Sequence, residues 1–450
     1  MHVILGGLDR SEGVFFLLLL DTFGQSALLT AWPGAIVCTL QLVMGPVANA
    51  FCSRYSVRTG VLLGGCLMSL ALLLNCFATN IYFLFFSHAL LGGVGRGLVY
   101  APGLIIVGMY FDKRVGLASG LGTSGVGIGT FLLVPLVQVM AQGYGFIGTF
   151  LLIGGFSANT LVAGMLFRPL SLHHKFTRAH KRKSQDDGHK SATTKTIRNK
   201  DFDAVCELTE GKNLKARTCQ CMTSSFSICF PIETSSKSSN DKKKLFHFYL
   251  LKEPPFLLFC ISIWLFAMAF RTAFTFMPAL IKSKGIPEPE AAMALSVAGI
   301  VDTVGRVLAG FLLDTSLLRP FRPYLYNLVI FALAGIAFLL PSLSGIVPYC
   351  AACGVYGLLS GAYISQKSVI LKDILDPGHM ANSFGILIVF QGLGNLLGPP
   401  FAGAMKDNLG GYDEAFYLGG GLLLMSGLLM SISNVMLAVG RRQGKHKQKH

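Results

Sequence analysis

The residues most able to do chemistry are charged side chains inside long apolar stretches. Asp302 and Arg306 lie four positions apart in the stretch Ala292 to Leu313, and Arg271 lies in the stretch Phe256 to Ile281. A charge at the centre of a membrane helix costs roughly 2.5 to 3.5 kcal/mol on insertion scales, so it usually faces a cavity or a partner. Residues at i and i+4 share a helix face, which predicts that Asp302 and Arg306 pair. An ion pair that serves packing only would show the same spacing.

The other ionisable residues within apolar stretches have competing interpretations. Arg271 could contact substrate or a partner, or it could be an interfacial cation that snorkels outward. His88 and Arg96 lie in the stretch Tyr82 to Met109. An imidazole titrates near physiological pH, but a single histidine in a helix bundle is more often a packed or hydrogen-bonded residue.

Composition indicates that membrane helices hold these residues. The chain has 450 residues, of which 52% are hydrophobic and 13% charged, and its mean hydropathy is +0.58, which excludes a soluble domain. Eleven apolar stretches are long enough to cross a hydrocarbon core of about 30 Å, and none alternates with the period of two that barrel strands require. The sequence therefore predicts an all-α polytopic membrane protein. The stretches are Leu29 to Phe51, Val61 to Ala78, Tyr82 to Met109, Leu117 to Met140, Gly145 to Phe167, Phe256 to Ile281, Ala292 to Leu313, Tyr324 to Leu340, Gly345 to Ile370, Asn382 to Met405 and Ala415 to Val439.

The placement of Lys and Arg predicts the orientation and the domains. Basic residues fall in alternate connections, whereas connections between them such as Ala78 to Asn80, Ala141 to Gly145 and Ser342 to Pro348 hold no Lys or Arg. By the positive-inside rule the basic connections are cytosolic. We expect a transmembrane half at 1–167, a cytosolic, largely disordered loop at 168–252, a second transmembrane half at 253–440 and a basic cytosolic tail at 441–450. The basic residues that set this orientation are Arg54, Arg58, Lys113, Arg114, Arg319, Arg322, Arg441 and Arg442.

Several other classes of function are not supported by the sequence. The net charge of +16 comes from connections and not from a folded basic face, so a nucleic-acid partner is not expected. The eleven cysteines lie mostly in spans or in the central loop, which favours structural thiols over disulfides. The segment "GGVGRG" lies inside a span and lacks the strand and the acidic residue of a dinucleotide site. With no catalytic constellation, metal motif or phosphate loop, we expect neither an enzyme nor a cofactor.

An internal repeat points to a transporter. "LASGLGTSGVGIG" and "MANSFGILIVFQGLG" share the spacing of Ala118, Gly122 and Gly129 with Ala381, Gly385 and Gly392. Two related halves joined by a long cytosolic loop are typical of secondary transporters, in which substrate binds near the midplane and the halves rock around it.

The connections also carry recognisable signatures. A Gly-x-x-x-Asp ending recurs at Gly310 with Asp314 and at Gly403 with Asp407, and Arg54 and Arg58 enter a cytosolic turn. This pattern resembles the major facilitator superfamily. The resemblance implies two six-helix halves whose short turns contact acids and helix ends, holding one face closed until transport breaks those contacts.

A narrower resemblance lies in "YFDKRVGLASGLGTSGVGIG", which is similar to the signature of the monocarboxylate transporter family where its fifth helix begins. Tyr110, Lys113 and Arg114 occupy signature positions. The motif "GGVGRGLVYAPG" lies in the preceding span, and "VDTVGR" and "GLGNLLGPPFAGAMKD" come later, in family order. The similarity runs from about Arg10 to Val439. The family implies a carrier of small organic anions at the plasma membrane.

The resemblance assigns roles to four residues, and the position of Arg271 inside a span adds a fifth candidate. Asp302 and Arg306 match the acid and base that the family uses for proton coupling and substrate binding. Arg10 falls where proton-linked members carry a first-helix Lys, and Ser360 replaces a bulky aromatic that limits substrate size; Arg271 is a further substrate candidate. An Arg fork satisfies both carboxylate oxygens of a substrate, and protonating Asp302 would free Arg306 for that task.

The first helix departs from the family pattern. "LDRSEGVFFLLLLDTFGQ" matches the family at Arg10, Ser11 and Val14, but only nine residues precede Arg10. We therefore expect eleven clear spans plus the remnant of a truncated first helix. A non-transporting truncated isoform or membrane scaffold is the alternative function. Possible partners are a monocarboxylate, a proton, the lipid bilayer and a single-pass immunoglobulin-type glycoprotein.

Overall fold

The structure is a computed structural model that describes residues 1–110, 115–167, 251–313, 315, 318–375 and 380–447. Its described part is built of α-helices, with a π-helical turn over Phe85–Leu91. The helices are α1 His2–Phe23, α2 Ala27–Val43, α3 Gly45–Arg54, α4 Val57–Leu74, α5 Ile81–Leu84, α6 Gly92–Tyr110, α7 Val115–Ser157, α8 Asn159–Met165, α9 Pro254–Ser283, α10 Glu288–Leu313, α11 Arg322–Leu339, α12 Ile346–Ile374, α13 Met380–Leu409 and α14 Asp413–Lys447.

The eleven predicted spans all lie on these helices. Nine helical segments of the described part are long and apolar enough to cross a membrane, and α2 with α3 adds a tenth as a pair bent by 44°. The segment Gly122–Met165 has 44 residues, roughly 66 Å, which is about twice the hydrocarbon thickness. It breaks at Gly145, whose φ of 63° is left-handed, and so it comprises two spans.

The sequence predicted a truncated first helix. Helix α1 is continuous over 22 residues, about 33 Å long, and ends at Gly24 in the left-handed conformation; it is not among the nine long apolar segments of the described part. Its charged side chains shorten the apolar run without breaking the helix, because Asp9, Arg10 and Glu12 are held by groups on other helices. Residues His2 to Phe23 therefore form one continuous helix.

Small residues let the helices approach closely. Helix α1 packs on α7, where a side chain at Gly129 would collide with the Val3 carbonyl and come within 2.8 Å of the Gly7 nitrogen. Helix α12 packs on α10 in the same way, with Gly361 against the Asp302 carbonyl. The two helix groups also meet along α2 with α13 and along α7 with α10. Glycine thus allows the close backbone contact that membrane bundles need.

Polar contacts join the two groups at one end of the bundle, which we call the short-connection end: residues 24–26, 78–80, 143–145, 284–287 and 410–412. Lys282 Nζ lies 3.2 Å from Asp21 Oδ2, joining α9 to α1. Gln138 Nε2 donates to Glu288 Oε2 at 2.8 Å, joining α7 to α10. This end is therefore closed by contacts between the two helix groups.

The chain forms two compact units. Both helix groups lie in one unit, which comprises Met1–Gly164 and Ser225–His450; the other is Met165–Ser224. Most of the predicted central loop lies outside the described residues. Helix α14 continues to Lys447, past the predicted span end at Val439.

Candidate functional site

Asp302 and Arg306 form the ion pair that their spacing on α10 predicts. Arg306 Nε donates to Asp302 Oδ2 at 2.8 Å, and Asp302 is 2% exposed. The pair engages Nε, which leaves the terminal guanidinium nitrogens for another acceptor; the Arg306 side chain is 13% exposed. Asp302 Oδ1 is buried and has no hydrogen-bond donor among the described residues. One carboxylate oxygen is therefore left without the hydrogen bond that a buried charged oxygen usually receives.

Arg271 and Arg10 bring two further cations to the centre of the bundle. Arg271 Nη1 donates to the Asp9 carbonyl at 3.0 Å, and its Nε and Nη2 are buried without an acceptor in the described part of the chain. Since Arg271 is 7% exposed, it is not an interfacial cation. The Arg10 guanidinium lies over two rings of α9, 3.7 Å from the Phe274 centroid and 4.7 Å from the Phe270 centroid. Aromatic faces therefore hold a cation that no described carboxylate contacts.

A second set of charges, which we call the amino-terminal cluster, comprises Asp9, Glu12, His88 and Arg96. Arg96 Nη1 donates to Glu12 Oε1 at 2.8 Å and to Asp9 Oδ1 at 3.2 Å. His88 Nε2 lies 3.3 Å from both Glu12 oxygens. The side chains of Arg96, Glu12 and His88 are 1%, 4% and 4% exposed, so they lie out of water. Helix α2 adds Gln41, whose Nε2 donates to Asp9 Oδ2 at 2.8 Å.

Helix α12 supplies a fifth cation and the predicted size-limiting position. Lys367 Nζ donates to Gln391 Oε1 of α13 at 2.6 Å. Ser360 is fully buried, and its hydroxyl donates to the Gly357 carbonyl of its own helix at 3.0 Å. Ser360 precedes Gly361, which packs on Asp302, so the position adjoins the ion pair even though its hydroxyl points back to α12.

Positive charge is in excess among these groups. The set contains three carboxylates, four guanidinium groups and one ammonium group. Two positive charges therefore have no counter-charge when the histidines are neutral. Anions are stabilised where unpaired guanidinium donors converge away from water. The residues counted are Asp9, Glu12, Asp302, Arg10, Arg96, Arg271, Arg306 and Lys367.

The predicted gating residues have separate outcomes. Asp407 of α13 accepts the Ala27 and Leu28 backbone amides at 2.9 and 2.8 Å, so it neutralises the start of α2 in the other group. Arg54 and Arg58 are exposed and contact no carboxylate in the described ranges. Lys113, Arg114 and Asp314 lie outside the described residues, and of Tyr110 only the backbone is described.

Sequence reasoning missed Glu12 and Lys367 as members of the central set. Glu12 lies in a short apolar run with two other charged residues, Asp9 and Arg10, and Lys367 lies near the end of its span, where cations usually reach the interface. The signal that could have found Glu12 was Asp9, which lies three positions away on the same face of the helix.

The comparisons with known proteins agree with this architecture. The profile of the Major Facilitator Superfamily matches residues 11–366. Monocarboxylate transporter 12 of Xenopus laevis is 30% identical over 431 residues, covering 95% of this chain and 85% of that protein. This chain belongs to the monocarboxylate transporter family of that superfamily. It is a multi-pass membrane transporter, not an enzyme.

Other relatives place the similarity across the same length. Human monocarboxylate transporter 12 is 28% identical over 96% of this chain and 78% of its own, and monocarboxylate transporter 9 of Mus musculus is 29% identical over 95% and 89%. Among solved structures, a bacterial homologue of the human lysosomal transporter Spinster, in an inward-facing and unoccupied conformation, gives a TM-score of 0.59. It is 16% identical and covers 98% of this chain and 95% of its own, which supports the fold alone.

Proposed function

We propose that this transporter carries a monocarboxylate or a related small organic anion across the plasma membrane by alternating access, together with a proton. The observation that carries the proposal is the excess of cations at the centre of the bundle, with terminal nitrogens of Arg306 and two nitrogens of Arg271 that have no described acceptor. A carboxylate in that position would satisfy donors that otherwise stay unpaired in a site of low exposure. The names of the relatives agree with that substrate class.

The proposed proton site is Asp302. Its ion pair uses Arg306 Nε, so the end of the guanidinium stays open to substrate even while Asp302 is ionised. Protonation would therefore act mainly on charge balance: it weakens the hold of Asp302 on Arg306 and strengthens the attraction of the site for an anion. Arg10 of α1 would add to the attraction for the anion, and the small Ser360 side chain would leave room for a larger carboxylate.

Alternating access requires the short-connection end to open. The contacts of Asp407 with α2, of Lys282 with Asp21 and of Gln138 with Glu288 would then break. The positive-inside distribution of Lys and Arg supports an external position for this end and a cytosolic position for the central loop and the carboxyl terminus. Arg54, Arg58, Lys113, Arg114 and Asp314 are proposed to close the opposite end.

The test is uptake of labelled lactate, pyruvate and a panel of larger carboxylates by cells expressing the full chain, with surface delivery measured in parallel. Co-expression of a single-pass immunoglobulin-type glycoprotein checks whether delivery needs it. We expect uptake of at least one carboxylate, and its loss in Arg306→Lys, because a point charge cannot replace the fork. The matched control is Arg322→Lys, which changes a cation of the same half that pairs with Asp373. A surface-delivered chain that carries no carboxylate would instead support the scaffold function.

A further inference from the structure

His88 lies in a hydrogen-bond chain that the Asp302 site does not use. Asn75, at the end of α4, contacts His88 Nδ1 through Nδ2 at 3.1 Å, and Ser87 Oγ lies 2.6 Å from Asn75 Oδ1. On its other side His88 Nε2 contacts the Glu12 carboxylate at 3.3 Å. Asn75 and Ser87 are fully buried and His88 is 3% exposed, so the chain is shielded from water.

The chain can satisfy a neutral His88. Asn75 Nδ2 donates to Nδ1, Nε2–H donates to Glu12, and the Ser87 hydroxyl donates to Asn75 Oδ1. Every polar atom between Ser87 and Glu12 then has a partner of the correct kind.

The same atoms can satisfy a protonated His88 after one movement. If the Asn75 amide turns over, its Oδ1 accepts the new Nδ1–H and its Nδ2 donates to Ser87 Oγ. The Ser87 hydroxyl then donates to the Phe83 carbonyl, which lies 3.1 Å away. Nε2–H stays on Glu12. The net chemical change is one proton added to Nδ1; no other covalent bond is formed or broken, and the hydrogen bonds of Asn75 and Ser87 exchange partners. An amide partner that serves both states is what a reversible proton site needs, because neither state leaves a buried polar atom unpaired.

The surroundings hold the ring in place. Phe15 and Phe150 meet the imidazole edge-to-face at 6.2 Å each, and His88 lies in the π-helical turn Phe85–Leu91, a distortion frequent at functional sites. Of the titratable and charged groups around it, Glu12 of α1 contacts the ring and Arg96 of α6 contacts Glu12. The buried thiol of Cys38 on α2, Asp9 and Arg271 lie within electrostatic range of Glu12 or Arg96.

Charge gives this proton a role in transport. With neutral His88, the amino-terminal cluster holds two carboxylates and one guanidinium, a net charge of −1; protonation brings it to zero. A negative cluster beside the central cations opposes an incoming anion, and a neutral one does not. We propose that His88 is a second proton-binding site, in the amino-terminal half and distinct from Asp302, that loads when the organic anion binds. This inference deepens, and rests on, the proposed function.

The experiment measures proton uptake by the purified full-length protein on acidification from about pH 8 to about pH 5, the range in which imidazole titrates. Relative to the native chain, His88→Gln should take up about one proton fewer per molecule. His2 is the control position, since its ring is also buried but has no described hydrogen-bond partner. The difference caused by His88→Gln should persist when His2 is replaced by Gln. Equal proton uptake with and without His88 would overturn the proposal.

Two further variants keep the test decisive if His88→Gln does not fold. Asn75→Asp should move the uptake step to higher pH, because a carboxylate holds the Nδ1 proton. Asn75→Leu should move it to lower pH, because Nδ1–H loses its acceptor. A purely structural His88 would show neither shift, and this result would also overturn the proposal.

Transport itself is measured separately, so the two proposals fail in different ways. If carboxylate uptake is absent but the His88 proton step is present, the proposed substrate is wrong and the proton site stands. If uptake is present, His88→Gln should flatten its pH dependence. The acid stimulation of uptake should fall by up to roughly tenfold per pH unit, which is the contribution of one titrating group. Unchanged acid stimulation in His88→Gln contradicts the coupling of this site to the anion.

Discussion

The amino-terminal cluster and the Asp302–Arg306 pair use the same kinds of side chain in different settings. In the cluster, Arg96 contacts two carboxylates and is 1% exposed; in the pair, Arg306 contacts one carboxylate through Nε and is 13% exposed. A buried cation that contacts two carboxylates joins the helices that carry them, whereas a cation whose terminal nitrogens have no described acceptor can bind a ligand. Buried charge contacts therefore join α1 to α6, and α10 carries the proposed anion site.

The largest expected effect comes from breaking the cluster at Glu12. Glu12→Leu leaves Arg96 buried with only Asp9 as a counter-charge, which should destabilise the fold by about 3 to 5 kcal/mol. Unfolding in mixed micelles titrated with dodecyl sulfate measures the change. The double variant Glu12→Leu with Arg96→Leu should recover part of the loss, because the remaining unpaired charge is Asp9, which is 23% exposed and accepts from Gln41. A double variant as unstable as the sum of the two single ones would refute the pairing.

The second prediction disturbs the Asp302 side through packing. Gly361→Ala places a methyl group against the Asp302 carbonyl, so α12 must move away from α10, at a cost of about 1 to 3 kcal/mol. Uptake should fall with stability, because Asp302 and Ser360 both shift. Gly354→Ala is the matched control on the same helix, where the new methyl would lie 3.5 Å from Val297 Cγ1, an ordinary contact. Equal behaviour of the two variants would show that this close approach is unimportant.

The third prediction concerns the short-connection end and is smaller. Asp407→Asn removes the charge at the start of α2, worth about 0.3 to 1 kcal/mol, and should favour opening of that end. The rate at which Ser26→Cys reacts with an impermeant thiol reagent measures the opening. Asp21→Asn is the control, since its pair with Lys282 is largely exposed and worth little. Slower labelling in Asp407→Asn than in the parent would contradict this role.

Much of the fold was predictable because it depends on local patterns. The eleven spans follow from apolar length, and the Asp302–Arg306 contact follows from helical spacing. The continuity of α1 through its charged residues was not predictable, since it depends on whether partners exist for Asp9 and Glu12, and the partner Arg96 lies 84 positions from Glu12.

Parts of the site depend on contacts that no local pattern encodes. The sequence around Arg271 is compatible with an interfacial cation, because its carbonyl partner on α1 lies 262 positions away in the chain. His88 looked like an isolated packed residue, and its place in a chain from Ser87 to Glu12 needs three separate helical segments to meet. The roles of Arg10 and Ser360 in substrate selection stay predictions.

The most direct test of the account is acid-driven accumulation of a labelled carboxylate in liposomes that contain the purified transporter, comparing the native chain with Asp302→Asn. When the external medium is acidic, we expect the native protein to accumulate the carboxylate inside the liposomes. The Asp302→Asn variant should either not transport the carboxylate or transport it independently of the pH gradient. Normal uptake by Asp302→Asn that is still stimulated by acid would contradict the central role of the Asp302–Arg306 pair.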